Sequence, residues 1–404
     1  SLVDQWGVPI NAALVDQDQR ITALQAQGSA SLGVYVPPGW GANWRAARNN
    51  SASVASKILV AGDSLSFGYY ASDLRVTNWV SLLKAAVQNQ YGDGGSGFFS
   101  VSRTDTASSV SAAVVNAWIA NNSFATEAGT WALGSSILGP GVTFLTANAS
   151  GATLTFRVTG TNVTIYNFSG SAPRAAFTYS IDGDVPVNVV VPVGPTTVQT
   201  TTISGLSAAE HTVVLAWNGA PADVFFPIGV AGYNPTGVAV DNMGRAGTTT
   251  VDWSANPTLV SAWNGGASNP ADLVILGLGL NDSITPVTGE NWVKNMTTYL
   301  QAVRASTGAT DLIICHQHYG NFNSGTGAST YGDYSSRIKD LADNYNATLV
   351  NMWTLGRNSY NFRNAQGYWG DGTTPGGVVG TDLAHLSDQG HQVVANAITP
   401  IVMS

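Results

Sequence analysis

Ser64 stands in Ala61-Gly62-Asp63-Ser64-Leu65-Ser66-Phe67-Gly68, directly after the apolar run Lys57-Ile58-Leu59-Val60-Ala61. That run is short, rich in β-branched and aliphatic residues and uncharged after Lys57, as expected of a strand buried on both faces of a parallel sheet. Gly62 ends it, and Ser64 falls where the strand turns toward a helix. A serine at the carboxyl end of such a strand, with backbone N–H groups freed by the turn, can act as nucleophile and as oxyanion donor. Its hydroxyl is a weak nucleophile and needs a base within hydrogen-bond reach. A histidine suits that task because its proton affinity lies near neutrality. His385 lies in Asp382-Leu383-Ala384-His385-Leu386-Ser387 near the C-terminus, and Asp382 is placed to hold the imidazole through its other nitrogen. The chemistry these residue types can do is acyl transfer through a serine.

Plainer readings compete at each position. Gly-Asp-Ser is also ordinary turn chemistry, and Asp63 is expected to stabilise its own turn. Asp282 is expected to bond backbone or cap a helix, and His211 and His391 to be structural. His316 and His318 share one face of a strand with metal-like spacing, but no third ligand is evident, so no metal and no cofactor is expected. At the carboxyl end of their strand they could instead line a substrate pocket together with Tyr319. The segment between Trp353 and Asp382 carries Tyr360, Phe362, Tyr368 and Trp369 among glycines and asparagines. Such aromatics, Trp369 among them, can stack on a substrate or simply pack the loop down.

The elements that must position these groups read as follows. The chain has 404 residues, 44% hydrophobic and 10% charged, with a formal net charge of -8 and no Lys/Arg cluster. That length implies two or three domains, and the composition excludes a disordered chain. Nucleic acid and anionic membrane surfaces are poor partners for such a charge distribution. Sparse charge with many Gly, Ser, Thr and Asn suits an extracellular surface. Cys315, the one cysteine, lies in Leu312-Ile313-Ile314-Cys315 and reads as a buried apolar residue. No stretch is long and apolar enough to span a bilayer, and the first residues lack a basic start followed by an apolar run. The expectation is a trimmed leader or export by another route, such as assembly into a virion.

Residues 1–30 read as a helical stalk, with Leu14, Ile21 and Leu24 at heptad-compatible spacing and Gln17 in the seam. A solvated amphipathic helix docked on the body fits the same pattern. Residues 31–55, with Pro37-Pro38-Gly39-Trp40-Gly41, read as a linker or an edge-covering strap. Residues 56–135 open an α/β body; Trp79, Leu82, Leu83, Ala86 and Val87 form a helical apolar face, and the glycine-rich Tyr91–Gly97 reads as a loop. Between 136 and 228 the period becomes two, as in Thr153–Val158 and Asn162–Tyr166, and Asp182-Gly183 is a hairpin signal. This predicts an inserted β-sandwich or jelly roll. From 229 to 404 strands near Val238–Val240, Leu273–Leu276, Leu312–Cys315 and Leu349–Met352 alternate with helices near 291–305, 333–344 and 388–400, a doubly wound parallel sheet.

Three more stretches join the Ser64 block: Asn242-Met243-Gly244-Arg245-Ala246-Gly247-Thr248-Thr249, Gly279-Leu280-Asn281-Asp282, and the segment of Asp382 and His385. Four such blocks in this order resemble SGNH (GDSL-type) hydrolases, over roughly 56–135 and 229–404. The resemblance implies a flavodoxin-like α/β fold and a triad of Ser64, Asp382 and His385. It further implies an oxyanion hole of the Ser64 N–H, the Gly247 N–H and the Asn281 amide; Gly244 is the alternative to Gly247. The stretch Trp6-Gly7 … Asn11 … Ile21 … Leu24 followed by an esterase body also resembles minor tail proteins of bacteriophages infecting actinobacteria. That second resemblance implies a virion component, a homotrimer through the N-terminal helix, and an ester substrate on the host cell envelope, an O-acetylated polysaccharide or an acylated glycolipid. The competing readings are a receptor- or wall-binding tail module with a secondary esterase site, and a secreted bacterial lipase or acetylesterase.

Overall fold

A computed structural model describes residues 33–100, 125–129, 132–134, 144–147, 150–171, 175–220, 223–245, 247–255, 270–285, 287–308, 310–317, 325–356, 360–370 and 384–404. The stalk read over 1–30 lies outside the described residues. In chain order the strands are β1 (Val34–Tyr35), β2 (Ser56–Gly62), β3 (Gly97–Ser100), β4 (Ala125–Ala128), β5 (Ala132–Gly134), β6 (Phe144–Thr146), β7 (Thr153–Thr159) and β8 (Asn162–Phe168). They continue with β9 (Phe177–Ile181), β10 (Val187–Val189), β11 (Val198–Ser204), β12 (Glu210–Trp217), β13 (Pro227–Tyr233), β14 (Val238–Gly244), β15 (Leu273–Gly277), β16 (Asp311–His316) and β17 (Thr348–Asn351).

A six-stranded sheet runs β1-β17-β16-β15-β2-β14. Its five long strands are parallel, and β1 adds an antiparallel edge. Every residue of β2, β15, β16 and β17 is buried, which is why these strands read as continuous apolar runs. Numbered by their order in the chain, the parallel strands lie 2-1-3-4-5, so the topological switch point falls between β2 and β15. The segments after those two strands carry Ser64 and Asn281.

Helices cover the sheet in two groups. Trp79–Tyr91 packs on Asp388–Met403, while Gly289–Thr307 packs on both Thr250–Ala255 and Gly325–Asn344. The right-handed crossover preference of parallel strands places two such groups on opposite faces of a doubly wound sheet. Asn78 caps the first of these helices by accepting from the Ser81 N–H at 2.8 Å, and Gly92 (φ 95°) ends it. Among the described residues no helix is long and apolar enough to cross a membrane.

Of the two readings of residues 31–55, a linker or an edge-covering strap, the described part from Gly33 fits the strap. From Gly33 on, this segment is built into the body: β1 pairs with edge strand β17, and the helix Ala42–Asn49 docks through Trp44. Trp40 Nε1 donates to Leu312 O at 2.8 Å and Trp44 Nε1 to Val402 O at 2.7 Å. Two buried indoles with satisfied N–H groups make this a strap across the sheet edge.

Two further sheets are antiparallel, β10-β9-β12-β7-β4 and β11-β8-β13-β3, beside a small β5-β6 pair. Here the strands alternate, as in β7 and β12, and the inward positions Phe156, Val158, Val163, Ile165, Phe177, Val213 and Leu215 form a separate core. Asp182 (φ 54°) and Gly183 (φ 85°) make the turn from β9 toward β10. The antiparallel strands extend past the 136–228 expected from periodicity. β3, β4 and β5 precede that range and β13 runs through its end; β3 and β13 pair with each other across more than 120 residues.

The glycine-rich stretch reads as a loop only over 92–96, between the helix ending at Tyr91 and β3 starting at Gly97, and it is pressed against β14. A Cβ on Gly94 would lie 2.2 Å from Val238 C, and one on Gly97 would lie 2.0 Å from Val240 O. A buried polar junction joins the parallel and antiparallel sheets here. Asp241 on β14 accepts from the Phe98 N–H at 2.9 Å and from the Tyr233 hydroxyl at 2.9 Å, with Lys57 Nζ 3.9 Å away.

Candidate active site

Strand β2 delivers Ser64 to the first turn of the short helix Ser64–Phe67. Asp63 caps this helix, its Oδ1 accepting from the Leu65 N–H at 3.0 Å, which is the turn-stabilising role expected of it. Burial pushes the Asp63 carboxyl up to about 7, against the opposing pull of the Leu65 N–H.

Three glycines let the helix sit close to the sheet. Gly62 is in register with Gly244 on one side and Gly277 on the other. A Cβ on Gly62 would lie 2.2 Å from Ser66 Oγ, one on Gly244 would lie 2.2 Å from Phe67 N, and one on Gly277 would lie 2.5 Å from Gln317 Nε2. No side chain fits at that shelf. Gln317 Nε2 then donates to Ser66 Oγ at 3.0 Å, and Asn242 Nδ2 donates to Ser66 O at 2.9 Å. The nucleophile's turn is fixed from below on both sides.

The segments after β14 and β15 are tied together. Asn281 Nδ2 donates to Thr248 O at 2.9 Å. Asp282 accepts from the Thr250 N–H at 2.9 Å and from the Thr250 hydroxyl at 2.5 Å. Burial pushes Asp282 up to about 6, with the Thr250 bonds opposing. Gly247 sits exposed in the pinned loop at φ 74°, a conformation that suits glycine. Gly244 differs: its N–H donates to Asn242 Oδ1 at 2.9 Å, and its α-carbon faces the backbone of Phe67. That N–H is already taken, whereas Gly247 lies in the loop that Asn281 holds.

His385 arrives from the other end of the chain. Its Nε2 is 3.1 Å from Ser64 Oγ, across 321 residues of sequence. The structure therefore brings Ser64 and His385 together. Asp382 lies outside the described residues, as do His318 and Tyr319. The backbone of His385 is braced by the aromatic segment: the Gly370 N–H donates to His385 O at 3.0 Å and the Ser387 N–H to Tyr368 O at 3.0 Å.

Two expectations for the substrate pocket are corrected. Trp369 is fully buried, bridged to Leu386 with Arg363 over its ring, so it supports the His385 segment from within and presents no face to a ligand. His316 is also fully buried, stacked on Tyr331 at 4.2 Å with Trp292 beyond. Burial lowers its proton affinity to about 3, so it is a neutral core ring. The helix Gly325–Asn344 carries Tyr331 over the strand face that His316 occupies, a cover that spacing alone does not reveal. His391 is likewise buried, and burial lowers it to about 4.

Sequence reasoning missed two residues of this site. Tyr69 and Tyr70 place their rings 4.5 Å and 5.6 Å from the His385 ring. Their signal was adjacency to the Ser64 block and nothing more.

With a histidine nitrogen on a serine hydroxyl at the switch point of a parallel sheet, the geometry is that of serine-dependent acyl transfer. The family model described as GDSL-like Lipase/Acylhydrolase matches residues 207–393, a span that begins after Ser64 and takes in Gly247, Asn281 and His385. The match supports the GDSL/SGNH hydrolase superfamily. A solved structure described as a peptidoglycan O-acetylesterase in action is similar to this chain at 17% identity, covering 89% of this chain and 96% of that one with a TM-score of 0.55. That likeness shows an SGNH-like α/β fold with a mixed sheet. A family two carbohydrate esterase from Cellvibrio japonicus aligns at 11% identity over 76% of this chain and 97% of its own, TM-score 0.27. A Corynascus thermopiles family 2 carbohydrate esterase with a carbohydrate-binding domain aligns at 13% identity over 68% and 98%, TM-score 0.29. No curated protein matches the sequence. The family match and the fold support an esterase.

Proposed function

We propose that the chain is a serine esterase that removes an O-acetyl or other acyl group from a polysaccharide or glycolipid of a cell envelope. The observation that carries this reading is the 3.1 Å approach of His385 Nε2 to Ser64 Oγ. In the proposed reaction Ser64 Oγ attacks the ester carbonyl while His385 takes the hydroxyl proton. The Ser64 and Gly247 N–H groups and the Asn281 amide hold the oxyanion. His385 then gives that proton to the leaving alcohol, which leaves the acyl group on Ser64 Oγ; an incoming water, deprotonated by His385, attacks the acyl carbonyl, the proton returns to Ser64 Oγ, and the acid is released. Asp382 is the proposed partner of the other imidazole nitrogen. The fold relative described as a peptidoglycan O-acetylesterase favours a small acyl group on a wall polymer here.

Further parts of the proposal concern context. The stretch 1–30 is proposed as a trimerising stalk of a phage tail protein, acting outside the cell. The antiparallel region read over 136–228 is proposed as an inserted accessory domain that binds the polymer. The experiment is hydrolysis of p-nitrophenyl esters from acetyl to long acyl chains, wild type against Ser64→Ala. Activity confined to acetate and lost in the variant supports a deacetylase. Rates rising with chain length move the substrate to a lipid. No rate above that of Ser64→Ala on any ester removes the esterase reading.

A further inference from the structure

Tyr70 is one of three described non-glycine residues with positive φ, at 66°. A bulky residue in the left-handed region stores backbone strain, which persists only when surrounding structure over-determines it. What surrounds Tyr70 is the catalytic pair. The Ser64 carbonyl accepts from both the Gly68 and the Tyr69 N–H at 3.0 Å, so the Tyr69–Tyr70 dipeptide is fixed directly to the nucleophile's own peptide unit. Tyr69 meets the His385 ring edge-on at 4.5 Å (63° between planes), and Tyr70 meets it at 5.6 Å. The two tyrosine rings also pack edge-to-face on each other at 4.5 Å, and each is only 5% exposed.

A second tie closes the loop from the histidine side. Asp388, three residues beyond His385, accepts from the Ser72 N–H at 2.9 Å and from the Ser72 hydroxyl at 2.5 Å. Thus the two tyrosines lie between an anchor on Ser64 and an anchor on the helix Asp388–Met403 that follows His385. The Ser64–His385 contact, the Ser64–Tyr69 backbone bond and the Tyr69–His385 ring contact form a triangle.

We infer that Tyr69 and Tyr70 are positioning residues that clamp the His385 imidazole onto Ser64, with the Ser72–Asp388 bonds as the latch that keeps the strained clamp closed. Imidazole has freedom about two side-chain bonds, and a base displaced by an ångström loses much of its effect on rate. Two buried aromatic faces remove that freedom. The rings do the work in this assignment, so phenylalanine serves where leucine, with similar bulk and no flat face, does not.

The inference rests on the esterase reading above. Its test is steady-state kinetics on p-nitrophenyl acetate with Tyr69→Phe, Tyr69→Leu, Tyr70→Leu and Ser72→Ala, each checked for unchanged melting. Expected are kcat losses on the order of tenfold to hundredfold for both leucine variants with KM within about twofold, recovery to within a few-fold in Tyr69→Phe, and a loss of a few-fold in Ser72→Ala. A folded Tyr69→Leu protein with wild-type kcat overturns the clamp and leaves the esterase intact. Losses that fall on KM, or that phenylalanine does not recover, also overturn it. A wild-type protein that hydrolyses no ester removes the esterase reading, and the clamp with it.

Discussion

The parallel sheet and the antiparallel sheets are held together by different means. Along the carboxyl ends of β2, β14 and β15 the fit is set by glycines: Gly62, Gly244 and Gly277 leave no room for a Cβ against the Ser64 turn and Gln317. Polar groups there are buried and used, as Gln317 on Ser66 and Asp282 on Thr250. In the antiparallel sheets the fit is side chain on side chain, with Phe177 stacked on Phe225 at 4.7 Å and glycines at turns such as Gly183 and Gly205 facing open space. Their far edge ends in exposed Val185, Val187, Val190 and Val193. One region spends its precision on placing a hydroxyl and an imidazole; the other on burying apolar faces. Damage to each should therefore be felt differently.

The largest separation is expected from Phe156→Ala. Phe156 is fully buried in the antiparallel core, so the change should cost about 3–5 kcal/mol in denaturant unfolding while the folded fraction keeps its kcat. A kcat loss in proportion would mean that the two regions are not separable. Gly244→Ala is the converse. The added Cβ meets Phe67 N, so a cost of about 2–3 kcal/mol should come with loss of ester hydrolysis, because the turn bearing Ser64 must move. A stable, fully active Gly244→Ala protein would show that the glycine shelf is not needed.

Asp63→Asn sharpens the contrast through pH. An aspartate whose folded-state affinity is raised from 3.8 to about 7 contributes stability that is present below about pH 4 and lost as pH rises toward 7. Asparagine keeps the acceptor for the Leu65 N–H and cannot ionise. The unfolding free energy of Asp63→Asn should therefore gain on wild type between pH 4 and 7, by on the order of 4 kcal/mol at the upper end. A constant difference across that range would contradict a buried, high-affinity Asp63. The smallest effect is expected at the seam between the two regions. Tyr233→Phe removes a donor to buried Asp241, which keeps the Phe98 N–H, and should cost about 1 kcal/mol with kcat unchanged.

Much of the parallel sheet was legible because strands buried on both faces are written as uninterrupted apolar runs, each followed by a block that could do chemistry. Ser64 was legible because it follows the end of such a run, and His385 because it stands in a short Asp-x-x-His block just before the last helix. What escaped depends on contacts distant in sequence. The pairing of β3 with β13 leaves no local mark, so the extent of the antiparallel strands was drawn too short. His316 and Trp369 carry the composition of pocket residues, but whether a helix or a bridge covers them is decided by Tyr331 and Leu386 far along the chain. Tyr69 and Tyr70 look like any loop aromatics until the His385 ring arrives from more than 300 residues away.

The most direct test of the central claim is covalent labelling. Wild type and His385→Ala would be incubated with a fluorophosphonate and the modified peptide mapped by mass spectrometry. The account predicts one adduct, on Ser64, whose formation slows by about a thousandfold without His385. An esterase-active protein that labels at another residue, or labels Ser64 equally fast in His385→Ala, would contradict it.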